Sequence, residues 1–176
     1  SSALGDSELN TTALVSIPVG VVVERHTATS PWIDFVWRPV SVLAGAPSAA
    51  PWTPLGAVGD MTTFYAGAAI IEFHRTETAN YCSNLESGTP LLWVVLRPTG
   101  AEPPYDVMAV TADPAEGEAS TEAGDNLVET VPMPNGIAAA LEAFIAEHHV
   151  ERPFFKRQRD RSEQPANRNG RREGGR

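Results

Sequence analysis

Apolar and polar positions alternate in short bursts over the first two thirds of the chain, and a helical period takes over only near its end. Residues 15–23 are apolar and β-branched, with Pro18 among them, and predict a strand whose start or edge tolerates the proline. Residues 24–30 are polar and read as a turn. Across residues 32–43, Ile33, Phe35 and Trp37 alternate with Asp34, Val36 and Arg38, the period of two of a half-buried strand. Pro39 implies a bulge or an edge there. Residues 44–60 carry Gly45, Pro47, Pro51, Pro54, Gly56 and Gly59 around one aromatic anchor, Trp52. They read as a long loop, either functional or packed over the core. A strand resumes over residues 61–74, with Gly67 marking a bulge or a close backbone approach. Residues 76–85 read as one helical turn or a wide loop.

The run Leu91 to Leu96 is continuously apolar and predicts a strand over residues 90–97 buried on both faces. Residues 105–111 form the next strand. Asp113-Pro114-Ala115-Glu116 starts a helix: Asp113 caps it, Pro114 fits its first position and Glu116 reaches back to the cap. This helix runs to about residue 123 and stops at Gly124, and residues 126–131 are the last strand. From Pro134 the period becomes helical. Ile137, Leu141, Phe144, Ile145 and His148 share one face, which predicts a helix over 134–149 with the first four of them buried. Pro153 interrupts that helix, and Phe154 and Phe155 fold back onto the body.

No helical crossover separates the first four strands, which disfavours a parallel doubly wound sheet. The prediction is an α+β fold: a curled, mainly antiparallel sheet or small open barrel with a C-terminal helix. Residues 1–13 read as a disordered lead, 14–155 as a single α+β domain, and 156–176 as a basic, disordered tail.

Charge adds an asymmetry. Residues 1–150 hold 18 acidic and 4 basic side chains, a net of −14, whereas residues 151–176 hold 4 acidic and 9 basic, a net of +5. Such a body repels nucleic acid and anionic membranes, so nucleic-acid binding is disfavoured. No apolar run is long enough to cross a membrane as a helix. The lone Cys82 and the lack of a signal-peptide pattern point to the cytoplasm.

Little in the residues predicts catalysis. Cys82 has no nucleophile signature around it and reads as inert. His26, His74, His148 and His149 lack ligand spacing, so no metal and no other cofactor is expected. Glu116, Glu118, Glu122 and Asp125 read as a solvated acidic face. Leu43-Ala44-Gly45-Ala46 lacks the further glycines and the nearby base of a phosphate loop. Trp37 and Trp93 read as core, and Trp52 as either a loop pin or a partner anchor. The body arginines, Arg25, Arg38, Arg75 and Arg97, are expected to pair mostly with carboxylates. Arg25 and Arg75 end the first and third predicted strands, which puts them on one side of a meander.

Three segments carry a family resemblance. They are Ile17-Pro18-Val19-Gly20-Val21-Val22-Val23-Glu24-Arg25, Trp37-Arg38-Pro39-Val40, and Glu147-His148-His149-Val150 followed by Arg152-Pro153-Phe154; Val131-Pro132-Met133-Pro134 also fits. Over about residues 15–160 the chain resembles a bacterial family whose genes lie beside those of molybdenum-dependent formate dehydrogenases. Its members often carry the label "molybdopterin-guanine dinucleotide biosynthesis protein A". True guanylyltransferases of that kind open with a Gly-rich strand-turn containing Arg and Lys, whereas the one lysine here is Lys156. No catalytic residue therefore carries over. The resemblance implies a non-catalytic accessory protein for maturation or assembly of a formate dehydrogenase, binding an enzyme subunit or another maturation factor. Trp52, Phe154, Phe155, Lys156, Arg157 and Arg159 are the partner-binding candidates. The alternative is an enzyme or carrier acting on the molybdopterin guanine dinucleotide, with Arg25 and Arg75 holding the cofactor.

Overall fold

In the computed structural model, which describes residues 13–148, strand pairing is antiparallel within two sheets. The first contains β1 (Ala13–Thr27), β2 (Phe35–Ala44), β3 (Thr53–Val58) and β4 (Met61–His74), in the order β2-β1-β4-β3. The second contains β5 (Leu91–Pro98), β6 (Tyr105–Thr111) and β7 (Leu127–Pro132), in the order β6-β5-β7. β6 lies against β4 and β7 against β2, so the sheets face each other without closing into a barrel. The helices are α1 (Thr78–Glu86), preceded by a 3-10 turn over Arg75–Glu77, α2 (Pro114–Glu122) and α3 (Asn135–His148). The α+β class, the antiparallel pairing and the C-terminal helix agree with the sequence pattern, with the single curled sheet resolved into two.

β1 is a central strand, and Pro18 is tolerated for a specific reason. The β2 ladder stops at Gly20, and the Pro18 carbonyl accepts instead from the Gly45 amide at 3.1 Å. A residue's N–H and C=O point to the same side of a strand, so the missing N–H of Pro18 costs no bond to β4. Two bulges occur where glycine and proline predicted irregularity. The register slips at Val40, beside Pro39, and at Ala66, beside Gly67, whose φ is 144°.

Residues 44–60 correct the sequence reading. Their second half is β3, an edge strand that is exposed along nearly all its length. Pro54 and Gly56 hide it, and the β4 ladder rather than burial holds it. Its first half does pack over the sheet: the Tyr65 hydroxyl donates to the Pro47 carbonyl at 3.5 Å, above a Gly20 that leaves no room for a Cβ.

The core lies between the sheets. Val19, Val21 and Val23 of β1 meet Leu92, Val94 and Leu96 of β5, with Ile137, Leu141 and Phe144 of α3. Ile145, predicted buried, is only half-buried, because the apolar face of α3 turns out of the core in its last turn. Phe73, Tyr81 and Phe144 pack ring on ring and plug the sandwich at the end where β4 finishes. α2 covers the other face of the second sheet, with Gly117 set directly on the Trp93 ring.

Candidate functional site

The end of the sandwich opposite the helices is built differently. β1 keeps its period of two through its neighbours' bulges, so Arg25 follows Val19, Val21 and Val23 onto the inner face. There the guanidinium carbon lies 4.3 Å from the centre of the Phe35 ring, 5.2 Å from that of Phe64 and 5.6 Å from that of Trp37. Its Nη2 donates to Thr62 Oγ1 at 3.4 Å. Trp37 stacks on Phe64 at 5.8 Å and meets Trp52 edge-on at 5.6 Å, while Tyr105 of the second sheet closes in at 6.4 Å. Trp52 is held there by a left-handed backbone, φ 67°, and by its amide, which donates to the Tyr65 carbonyl at 2.6 Å. Left-handed backbone is uncommon for a residue other than glycine. A cation over an aromatic face contributes about 0.5–2 kcal/mol.

At the same end of the first sheet, exposed apolar side chains stand beside Asp34 and Asp60. The β1–β2 and β3–β4 turns are tied together by the Thr27 amide, which donates to the Asp60 carbonyl at 3.3 Å. They present Trp32, 87% exposed, and Val58, 73% exposed, with Ile33 and Val36 beside them. Trp32 and Ile33 were expected inside a strand, but β2 starts only at Phe35.

The predicted site residues separate. Trp52 and Arg25 share the aromatic cluster. Arg75 does not join them: Arg25 pairs with Thr62 near the start of β4, and Arg75 follows its last residue, His74. The dozen positions between the two ends of the ladder span about 40 Å. The cause is the unseen β3, which adds a reversal and makes β4 run against β1. The arginines are also not mostly ion-paired. Among the described residues the arginine ion pair is Arg97–Asp106, at 3.4 Å and exposed. Phe154, Phe155, Lys156, Arg157 and Arg159 lie outside the described residues.

Sequence reasoning missed Phe35 and Phe64 as neighbours of Arg25, Tyr105 as a neighbour of Trp37, and Trp32 and Val58 as exposed residues at that end. The signal for Arg25 was present in the parity of positions 19, 21, 23 and 25, which a strand ended at Val23 conceals. The signal for the rings was not, because they come from three separate strands.

Polar groups elsewhere form structural networks. Asp113 caps α2 by accepting from the Ala115 amide at 2.9 Å. Glu116 reaches back as predicted, but to the Thr111 hydroxyl at 2.7 Å, and that hydroxyl accepts from the Asp113 amide at 3.1 Å. Cys82 lines a groove with Leu85, Glu86, Glu142, Ile145 and Ala146, and burial together with Glu86 pushes its thiol pKa up. That is the opposite of nucleophile activation. Burial pushes the Tyr81 hydroxyl up to about 12, against a lowering hydrogen bond from the His74 amide. Among the described residues no cluster of His, Cys, Asp and Glu could hold a metal, and no helix is long and apolar enough to cross a membrane.

The model of a family described as "Protein of unknown function (DUF3305)" matches residues 18–159. No curated protein and no solved structure matches the chain.

Proposed function

The chain belongs to the DUF3305 family, and from that premise we propose that it is a cytoplasmic, non-catalytic accessory protein that works by binding another protein. The partner is a subunit or maturation factor of a molybdenum-dependent formate dehydrogenase, as the resemblance in residues 17–25, 37–40 and 147–154 implies. The observation that carries the binding reading is the aromatic end. Trp32, Ile33, Val36 and Val58 stand in solvent at the same end of the sheet as a cation framed by Phe35, Trp37 and Phe64, with Trp52 packed on the last two rings. Aromatic residues with arginine are the groups that dominate protein interfaces. An exposed apolar patch with no role in the core marks an interaction surface.

The dinucleotide alternative requires cations that converge on a pyrophosphate. With Arg75 at the far end of β4, the aromatic end offers it Arg25 among the described residues.

The test is affinity purification from native cells of the wild-type chain and of a Trp32→Ala, Val58→Asp variant, with formate dehydrogenase activity assayed in a strain lacking the gene. The wild type is expected to retain a formate dehydrogenase subunit or maturation factor, the variant to lose it, and the strain to have little enzyme activity. Undiminished activity in that strain, or equal retention by both chains, would overturn the reading.

A further inference from the structure

We propose that the segment Pro153-Phe154-Phe155-Lys156-Arg157 docks on its own chain, in the groove between α1 and the last two turns of α3. The groove has a volume of about 340 Å³ and an apolar floor of Leu85, Ile145 and Ala146, with Cys82 at its side. Glu86 and Glu142 add a carboxylate from each helix. The segment has the complementary order, two aromatic side chains followed by two cations.

Reach and chain direction fit. α3 ends at His148, and at 1.5 Å per residue Glu142 lies about 9 Å back along its axis. Residues 149–153 span up to about 17 Å when extended, enough to turn and bring Phe154 over Ile145. Pro153 cannot donate to a continuing helix, which favours a turn at that point. The wider charge layout acts in the same direction, since a net of +5 follows a body of −14. The family match continues to residue 159, eleven residues past the end of α3, so what the family shares includes this segment. These residues were partner candidates from sequence; the groove gives them a place on the same chain. The inference does not depend on the formate dehydrogenase reading.

Cys82 supplies the test, because it lines the groove and is the one cysteine in the sequence. In the full chain, N-ethylmaleimide should modify Cys82 about tenfold faster in a Phe154→Ala, Phe155→Ala variant than in the wild type. A Lys156→Glu, Arg157→Glu variant should also react faster, and adding Glu142→Lys to it should restore protection. Equal rates in the wild type and the double-alanine variant would overturn the proposal. So would protection that grows with protein concentration, because it would place a second copy in the groove.

Discussion

Asn84 is 5% exposed, yet its side chain makes three hydrogen bonds that tie α1 to β5 and to the link between β6 and α2. Its amide nitrogen donates to the Leu91 carbonyl at 2.8 Å and the Ala112 carbonyl at 2.9 Å, and its oxygen accepts from the Leu91 amide at 2.9 Å. Asn84→Ala removes all three bonds and should cost about 2–4 kcal/mol in urea denaturation. Asn84→Asp keeps one acceptor but faces a carboxylate toward two carbonyl oxygens, so it should cost at least as much at neutral pH. Tyr81 gives a pH signature. Its folded pKa, about 12, lies above the ordinary 10, so the folded state holds the proton more tightly. That contribution is complete below pH 10 and is lost as pH rises through about 12, a change of about 2–3 kcal/mol. Tyr81→Phe should cost about 1 kcal/mol at neutral pH, through the acceptor lost to the His74 amide. It should also flatten that alkaline decline. Parallel declines in the wild type and the variant between pH 10 and 12 would contradict the assignment.

At the scale of elements, α2 shows a packing constraint that overrides propensity. Its mid-helix glycine is unfavourable by about 1 kcal/mol relative to alanine. Yet a Cβ on Gly117 would sit inside the Trp93 ring, so the helix keeps its distance from β5 only with glycine there. Gly117→Ala should therefore destabilise despite the gain in propensity, lowering Tm by about 3–8 °C in a calorimetric scan. The same substitution in a Trp93→Leu background should be neutral or stabilising, which separates the clash from any effect on the helix itself. β3 is the converse case. Its residues have weak strand character, and its pairing with β4 through the tight turn at Gly59, φ 62°, makes it a strand.

The two sheets and the helices share one core, so the whole molecule should unfold as a unit. Leu141 is fully buried among side chains contributed by both sheets. Leu141→Ala should cost about 2–5 kcal/mol. Tryptophan fluorescence, which reports on Trp37 and Trp52 at one end and Trp93 beneath α2, should follow the same denaturation curve as far-UV circular dichroism. Transitions that separate in the variant would show that the sheets are independent units. The two ends differ in role. The helix end is filled by Phe73, Tyr81 and Phe144, and the aromatic end leaves Trp32 and Val58 in solvent.

Alternation and capping chemistry, which act over a few residues, determined much of this protein by themselves. β4 and β6 lie within the bounds their patterns predict, α2 starts behind its Asp113 cap, and the bulges fall beside Pro39 and Gly67. The antiparallel α+β class followed from the absence of crossovers. β3 was not legible, because an exposed edge strand is specified by its partner rather than by its own burial pattern. With β3 unseen, the direction of β4 was wrong, and so was the pairing of Arg25 with Arg75. The aromatic end was out of reach for the same reason. Arg25, Phe35, Trp37, Trp52, Phe64 and Tyr105 are scattered over eighty residues, and only sheet register and the facing of the two sheets bring their side chains together.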